Sequence, residues 1–432
     1  MSKFKIVLGL VVFSLFFMIV ADYPNTITLE LGVFSGSNWG VPSGESYKII
    51  DGAIERFEKK YPGVKVEYES GIMKSDYSSW LSDKIVKGKQ PDVFMVLDDD
   101  FNTLSSIGAL ANLDSYMTHD QKFSKNDYYS SVLKAGTYYN NQYALPYECD
   151  PTLMFVNKTL LQKCHIDMPD NDWTLEDFYS ICKKVSQYSQ CYGCYDYSWL
   201  DSVYGYGTQV FNEKGTKCFI DQSSVKSAIE FYRKLNNLNK GHLVTSEEFD
   251  KGLVAFSPLS LSVYRTYKPY PWRVKKYSTF EWDCLKMPTV SKNKGSAQVS
   301  TLLMGMSAKS YHKSQAWYLL KELCHDTTTQ QSLTQYSQGI SPLKEVAQSQ
   351  TIIDMLDEEG GQVNMSLLNQ ALLGARNREK FKKYDSAMTL IDTNMSKIIY
   401  SSDDFDLAII ELQKQVNKYL NEKSGLATLF FI

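Results

Sequence analysis

The sequence predicts an α/β protein built from two domains. At 432 residues the chain is longer than one ordinary hydrophobic core accommodates, so it should divide in two. From residue 26 onward, strand-like and helix-like apolar patterns alternate. The continuous apolar run DVFMVL, Asp92 to Leu97, is typical of a parallel strand covered on both faces. Alternation of this kind predicts doubly wound α/β domains with right-handed crossovers.

The first predicted domain opens with a strand in TITLELGVF, Thr26 to Phe34. A helix follows, because apolar residues recur at helical spacing between positions 50 and 61, and Pro62-Gly63 ends it. The strand VKVEYES, a helix around Trp80 and Leu81, and the covered strand DVFMVL complete the pattern.

The pattern resumes after residue 170. Thr174 is a candidate N-cap for the helix WTLEDFYSICKKV, and a second helix is predicted over Val225 to Leu238. Strand-like runs start at Leu253, Trp282 and Ser300, and the polar linker SKNKGS separates the last two. Helices are predicted over 314–325, 327–337 and most of 364–422.

The charge balance excludes nucleic acid as an expected partner. Net charge is −3, with 22% charged and 43% apolar residues, which is an ordinary soluble composition. The 30 Tyr, 21 Phe and 7 Trp are the unusual feature. Most of them must fill cores, while a few could line a cleft, since Tyr and Trp combine a flat apolar face with a polar tip.

The first 21 residues have the features of an export leader. MSKFK supplies two positive charges, and Ile6 to Ala21 is apolar apart from Ser14. We expect the leader either to be cleaved or to stay as a membrane anchor with Lys3 and Lys5 inside, so the remainder faces outward. No cysteine lies near it, so lipid attachment at a lipobox is not expected.

Eight cysteines are compatible with disulfides outside the cell. Cys191 and Cys194 have the spacing of half a zinc site, but no second pair or His cluster accompanies them. A surface disulfide or buried free thiols are the favoured alternatives, and the spacing does not reveal the pairing. The cysteines are Cys149, Cys164, Cys182, Cys191, Cys194, Cys218, Cys284 and Cys324.

Four stretches occur in an order that carries more information than any one of them. They are PDVFMVLDDDFNTLSSIGALANL (91–113), YALPYECDPTLMFVNKTLL (143–161), FDKGLVAFSPLS (249–260), and WDCLKMP followed by AWYLLKELC and YSQGISPLKE (336–345). In this order the chain resembles the extracellular solute-binding proteins of bacterial ABC importers, in the branch that includes maltose-binding protein.

The resemblance implies two doubly wound α/β lobes joined by a three-segment hinge, the periplasmic-binding-protein type II fold. The lobes would comprise residues 26–146 plus 289–342 and residues 147–288 plus 343–432, after the leader at 1–21. PYECDP would then be a hinge crossing whose acids face a water-filled cleft; the alternative is an exposed loop. Ligands of this fold bind between the lobes, which close by hinge motion.

The resemblance also implies ligand contacts. Its carboxylate after the third strand falls on Asp99, with Asp98 beside it, although a helix N-cap is the alternative. The crossover acid falls on Asp150, next to Tyr147 and Glu148. The other expected contacts are Trp39, Tyr197 and Trp199, for which core packing is the alternative, and Tyr264 with nearby Tyr267, Arg376 and Tyr384, the last two on a late helical segment that returns to the site.

The expected function is therefore that of a non-catalytic receptor without cofactor. It would capture a carbohydrate, with an oligosaccharide the expected size class, and deliver it as a monomer to an ABC permease. Alternatives are a secreted glycoside hydrolase using Asp98–Asp100 with Glu148 or Asp150, and a sensor subunit for a membrane kinase. Polyamine or metal binding is also compatible with an acidic cleft, although five His residues make a transition-metal site unexpected.

Overall fold

The computed structural model describes residues 26–40, 45–266, 280–291, 297–358, 363–400 and 404–422. The expected leader at 1–21, Tyr267 and most of the SKNKGS linker lie outside these ranges. The strands are β1 Ile27–Gly32, β2 Val64–Tyr68, β3 Val93–Val96, β4 Thr137–Tyr138, β5 Asn141–Gln142, β6 Ala144–Asn157, β7 Tyr192–Cys194, β8 Val254–Ser260, β9 Trp282–Leu285 and β10 Val299–Met306.

Helices connect most of the strands. They are α1 Ser46–Lys60, α2 Lys74–Val86, α3 Asp98–Ser106, α4 Asp114–His119, α5 Ser130–Leu133, α6 Lys158–Lys163, α7 Leu175–Val185, α8 Trp199–Gly205, α9 Ser223–Asn237, α10 Ser246–Asp250, α11 Leu261–Thr266, α12 Lys313–Cys324, α13 Thr327–Tyr336, α14 Lys344–Ala347, α15 Gln350–Glu358, α16 Met365–Leu373, α17 Tyr384–Tyr400 and α18 Phe405–Asn421. Short 3₁₀ turns occupy Lys125–Asp127 and Lys134–Gly136.

One long strand runs through both halves of the molecule. The sheet order is β2-β1-β3-β10-β6-β8-β7, and β9 also pairs with β6. β1 is parallel to β2 and β3, whereas β10 is antiparallel to β3 and β6. The first half of β6 pairs with β10 and its second half with β8 and β9. This confirms a mixed α/β architecture with two lobes, here called the first lobe (β1–β3) and the second lobe (β7–β9).

The proline-flanked acids lie inside β6. Pro146 is opposite Leu303 and Pro151 is opposite Val299. A register shift between Leu302 and Leu303 leaves Tyr147 as the extra residue of a bulge. Bulges absorb the irregularity that prolines without N–H donors impose on a ladder. The stretch is therefore a strand that crosses between lobes, and the alternative of an exposed loop is wrong.

Separate hydrophobic cores support the two lobes. One cluster joins residues 29–147 with residues 302–346. Two others, between 154 and 287 and between 199 and 420, fill the second lobe. A further cluster, which includes Leu153, Tyr264 and the buried face of α16, packs around the middle of β6. Each lobe therefore has its own apolar interior on either side of a shared strand.

Local sequence signals account for several helix ends. Thr174 caps α7 as predicted: its hydroxyl accepts from Asp177 N, and the Asp177 carboxylate accepts from Thr174 N at 2.8 Å. The predicted helical region 364–422 is divided, because an irregular segment at residues 374–383 separates α16 from α17. Among the described residues, no helix has the length and apolar character needed to cross a membrane.

Candidate functional site

A cavity of about 410 Å³ lies where three parts of the chain meet. The first part is the β4–β5 hairpin of the first lobe, the second follows α8, and the third is the irregular segment after α16. The lining residues are Lys134, Thr137, Tyr139, Asn140, Tyr204, Thr208, Gln209, Glu213, Lys214 and residues 375–380. This volume falls within the usual range of small-molecule sites.

The hairpin presents a tyrosine at the cavity from an unusual backbone conformation. Tyr139 and Asn140 form the two-residue connection between β4 and β5, with φ of 44° and 66°. Such tight hairpins require positive φ at both central residues and normally use Asn or Gly there. A bulky residue in this region is a genuine outlier, and such strain concentrates at functional sites. The Tyr139 side chain is 53% exposed, so its ring remains available for contact.

The second lobe contributes a buried tyrosine and a partly buried carboxyl group. Tyr204, on α8, is nearly inaccessible to bulk solvent although it lines the cavity. Glu379 faces the same space, and the backbone N–H groups of Val210 and Phe211 hydrogen-bond to it. Burial raises the pKa of Glu379 above its ordinary value despite these bonds. The cavity therefore offers a carboxyl group already oriented by backbone donors.

The third wall is an extended segment tied to both lobes. Arg376 N donates to Ala297 O at 2.8 Å, and Val299 N donates to Arg376 O at 3.2 Å. Phe381, a few residues later, is buried against Phe211 in the second lobe. The expectation of a helix here is wrong, because the segment pairs with the chain leading into β10 instead of bonding to itself.

Two acids predicted as ligand contacts hold basic residues of this segment. Asp98 and Asp99 open α3, where carboxylates favour the positive end of the helix. Asp99 accepts from Arg378 Nη1 at 2.9 Å, and Asp98 pairs with Lys380 Nζ at 2.5 Å. The first lobe is thereby connected to the cavity wall by ion pairs, and the acids lie behind the lining residues.

The charge of the cavity differs from the expected acid-lined cleft. Its lining contains five basic side chains and two acidic ones. Asp98 and Asp99 offset two of the cations, Arg378 and Lys380. The resulting surface is mixed and hydrogen-bonding, with no excess of acids to favour a polyamine or a metal cation.

The expectation that the acids of PYECDP face a water-filled cleft is wrong. Glu148 and Asp150 are both 3% exposed. Glu148 accepts from Gly339 N at 2.8 Å and from the Ser337 hydroxyl, while Asp150 accepts from Ser262 N at 2.9 Å and Ser262 Oγ at 2.5 Å. Backbone and hydroxyl donors from neighbouring segments compensate the free-energy cost of burying these carboxyl groups. The donors lie far away in the sequence, so the sequence alone did not reveal the burial.

A buried arginine completes this polar cluster. Arg265 donates to the carbonyls of Thr334, Ser337 and Gly339, and the charges of Glu148 and Asp150 also act on it. Burial lowers the pKa of Arg265 to about 10 and raises that of Asp150 to about 6. We name Glu148, Asp150 and Arg265 the hinge cluster, because they fasten the middle of β6 to α11 and to the loop after α13.

Most of the predicted aromatic contacts lie in cores. Their side chains pack inside the lobes against other groups of the chain and do not line the cavity. They are Tyr147, Tyr197 against Phe178, Trp199 with its indole donating to Asp392, Tyr264 against Trp282, and Tyr384 against Phe211 and Phe381. Trp39 packs on the first core with its indole nitrogen near Glu148, short of hydrogen-bond geometry.

Of the predicted contacts that the structure describes, only Arg376 lines the cavity itself. Sequence reasoning missed Tyr139, Tyr204, Arg378 and Glu379. The Tyr-Asn pair of the hairpin was the one available signal, since an Asn between two short polar strands suggests a turn. Among the described residues, no group of three or more His, Cys, Asp or Glu side chains could hold a metal ion.

Comparison with known proteins identifies the family. Residues 52–355 match the model of the bacterial extracellular solute-binding proteins. The chain belongs to this family. The solute-binding protein is also 28% identical over 155 residues to an uncharacterized ABC transporter extracellular-binding protein of Pyrococcus horikoshii, a match that covers 35% of this chain and 34% of the relative. The chain thus matches about a third of the length of that curated relative.

Solved structures agree on the fold of the solute-binding protein. A cyclic alpha-maltosyl-1,6-maltose binding protein of Arthrobacter globiformis superposes with a TM-score of 0.76 at 13% identity, covering 91% of this chain and 99% of the other. The sugar-binding protein MalE of Xanthomonas citri gives 0.74 at 14% identity, covering 91% and 97%. At such identities the likeness shows the two-lobed fold alone. Membership makes this an extracellular solute-binding protein and indicates an extracytoplasmic location.

Proposed function

We propose that this protein captures a carbohydrate, with an oligosaccharide the expected size class, in the cavity and delivers it to an ABC-type permease. The observation that carries the proposal is the placement of Tyr139 and Tyr204 on one cavity, from different lobes, among polar side chains. Aromatic faces cover the apolar C–H faces of sugar rings, and polar groups exchange hydrogen bonds with hydroxyls. The sugars in the names of the structural neighbours support the same class of ligand.

Amide and charged groups of the cavity suit hydroxyl recognition. Asn140, Gln209 and Asn377 supply amides that can donate and accept, and Glu379 supplies an oriented carboxyl group. Hydrogen bonds with an ionised partner are roughly twice as strong as neutral ones. We assign the hydrogen bonds of the sugar hydroxyls to these four residues.

We further propose that the lobes comprise residues 26–146 plus 289–342 and residues 147–288 plus 343–432, and that they close on the ligand. Asp98 and Asp99 then act by holding Arg378 and Lys380 at the cavity wall. Closure of two lobes around a ligand by a hinge is an established way to sequester solutes. The leader would keep the protein outside the cytoplasm, and size-exclusion chromatography of the mature chain should give a monomer.

Titration calorimetry against a panel of mono- and oligosaccharides tests the proposal. We expect saturable binding of at least one sugar, and roughly 10-fold weaker binding for Tyr204→Leu and Tyr139→Gly, since an aromatic contact contributes about 0.5–1.5 kcal/mol beyond area burial. Glycine at 139 keeps the positive φ, so the hairpin should survive. Tyr311→Ala, at a 98% exposed site outside the cavity lining, is the matched control. No binding across the panel contradicts the proposal.

A glycoside hydrolase has less support. Hydrolysis of a glycosidic bond needs two carboxyl groups that flank it. Glu148 and Asp150 are buried in the hinge cluster and do not line the cavity, so neither can pair with Asp98 or Asp99 across a sugar. The choice between a permease and a sensor kinase rests on the partner. Sugar-dependent stimulation of ATP hydrolysis in a reconstituted permease would support transport.

A further inference from the structure

Four of the eight cysteines meet in two pairs around β7. Cys182 is fully buried on α7, and a Cβ added to Gly193 would lie 2.4 Å from its Cβ, so β7 packs directly on the helix at this point. The next residue in β7 is Cys194, which packs against the same apolar cluster as Cys182 and whose thiol interacts with the Cys182 thiol. Because a side chain at position 193 would collide with Cys182, only glycine there allows β7 to pack this closely on α7.

One tyrosine contacts the backbone of both members of the second pair. The Tyr188 hydroxyl donates to the carbonyl of Cys164, at the end of α6, at 2.9 Å. Tyr188 O in turn accepts from Cys191 N at 3.3 Å. Cys164 and Cys191 also belong to one apolar cluster of the second lobe, where their thiols interact. The other four cysteines are buried in β6, before α9, in β9 and in α12.

We propose that Cys164–Cys191 and Cys182–Cys194 form disulfides in the exported protein. β7 has three residues and lies at the end of the sheet, paired only with β8 among the described strands. Short edge strands have few ladder bonds to hold them, and each disulfide would limit the freedom of the unfolded chain. The two bonds would fasten β7 to α6 and α7. None of the four cysteines lines the cavity, so the inference is independent of the ligand.

The chemistry requires an oxidant, which we take to be the disulfide of an extracytoplasmic thiol oxidoreductase. The more accessible thiols, Cys191 and Cys194, attack that disulfide as thiolates and form mixed disulfides. Cys164 and Cys182 then displace the oxidant, which leaves as a dithiol. Each new bond removes two hydrogens from this chain and adds two to the oxidant.

Peptide mapping of the full-length secreted protein tests the pairing. The denatured, unreduced protein is alkylated and digested with chymotrypsin, because Tyr192 separates Cys191 from Cys194 and Phe178 separates Cys164 from Cys182. We expect four alkylated cysteines, two linked peptides with the proposed partners, and an intact mass lower by four hydrogens than that of the reduced chain.

A variant comparison tests the role of the bonds. Cys191→Ser should leave Cys164 alkylated and the other bond intact, whereas Cys324→Ser, a buried control, should leave both bonds in place. Reduction of the wild-type protein should lower its Tm by about 10 °C. Alkylation of all eight cysteines in the secreted protein, or linked peptides with other partners, would overturn the proposal.

Discussion

Asp150→Asn should remove a pH-dependent loss of stability that the hinge cluster causes in the wild-type protein. The carboxyl of Asp150 is buried, and burial raises its pKa from 3.8 to about 6 although Ser262 donates two hydrogen bonds to it. Asparagine has the same shape: its carbonyl can accept from Ser262 N, and its amide can donate to Ser262 Oγ. The variant therefore keeps the packing and removes only the ionisation.

The magnitude follows from the pKa of Asp150. Between pH 3.8 and about 6 the folded state holds a proton that the unfolded state releases, so the free energy of unfolding falls as the pH rises. This group's contribution is fully present below pH 3.8 and is lost as the pH passes about 6, at a cost of about 3 kcal/mol. Burial and the charge of Asp150 both raise the pKa of Glu148. The Asp150→Asn substitution should therefore also make Glu148 easier to ionise, which adds to the stability that the variant gains at high pH.

Urea unfolding of both proteins at a series of pH values from 4 to 7.5 measures this effect. The difference in unfolding free energy should shift by about 2.5 kcal/mol in favour of Asp150→Asn between the ends of the series, because the series starts just above the unfolded-state pKa. Asp83→Asn, at an exposed site on α2, controls for the loss of one carboxylate. A difference that stays constant from pH 4 to pH 7.5 would refute the reasoning.

Two further predictions concern contacts between segments. Gly339→Ala should lower the free energy of unfolding by about 2–3 kcal/mol, because the new Cβ would lie 2.4 Å from Glu148 Oε1 and disrupt the hydrogen bond from Gly339 N. Gly63→Ala is the control: the space around it is open, so it should be neutral in the same urea unfolding assay. Asp98→Ala should cost about 2 kcal/mol, since it leaves Lys380, 9% exposed, without its carboxylate, whereas Asp99→Ala, at an 81% exposed site, should cost under about 1 kcal/mol. Equal losses for the two aspartates, or a neutral Gly339→Ala, would contradict these assignments.

The fold was largely predictable because local patterns and global topology agree. The covered strand β3, the N-cap at Thr174 and the order of the four family stretches each appear in the sequence without reference to distant residues. The division of the last helical region was not predictable, since residues 374–383 have ordinary helix-compatible composition. Pairing of Arg376 with the chain before β10 overrides that local preference.

The site was less predictable because exposure depends on partners far along the chain. The sequence around Asp150 predicts a cleft residue, because it does not show that Ser262, 112 positions later, donates hydrogen bonds to the carboxylate. Tyr139 and Tyr204 reach one cavity only through the meeting of two lobes, and no short spacing records that. Tyr197 and Tyr204 lie close together in the sequence, yet packing directs the first into a core and the second to the cavity.

The most direct test of the binding account is a crystal structure of the protein with the sugar that calorimetry identifies. We predict electron density for the sugar in the cavity, in contact with Tyr139, Tyr204 and the segment 375–380. Density for the sugar at another surface, with the cavity empty and Tyr139 and Tyr204 free of contact, would contradict it.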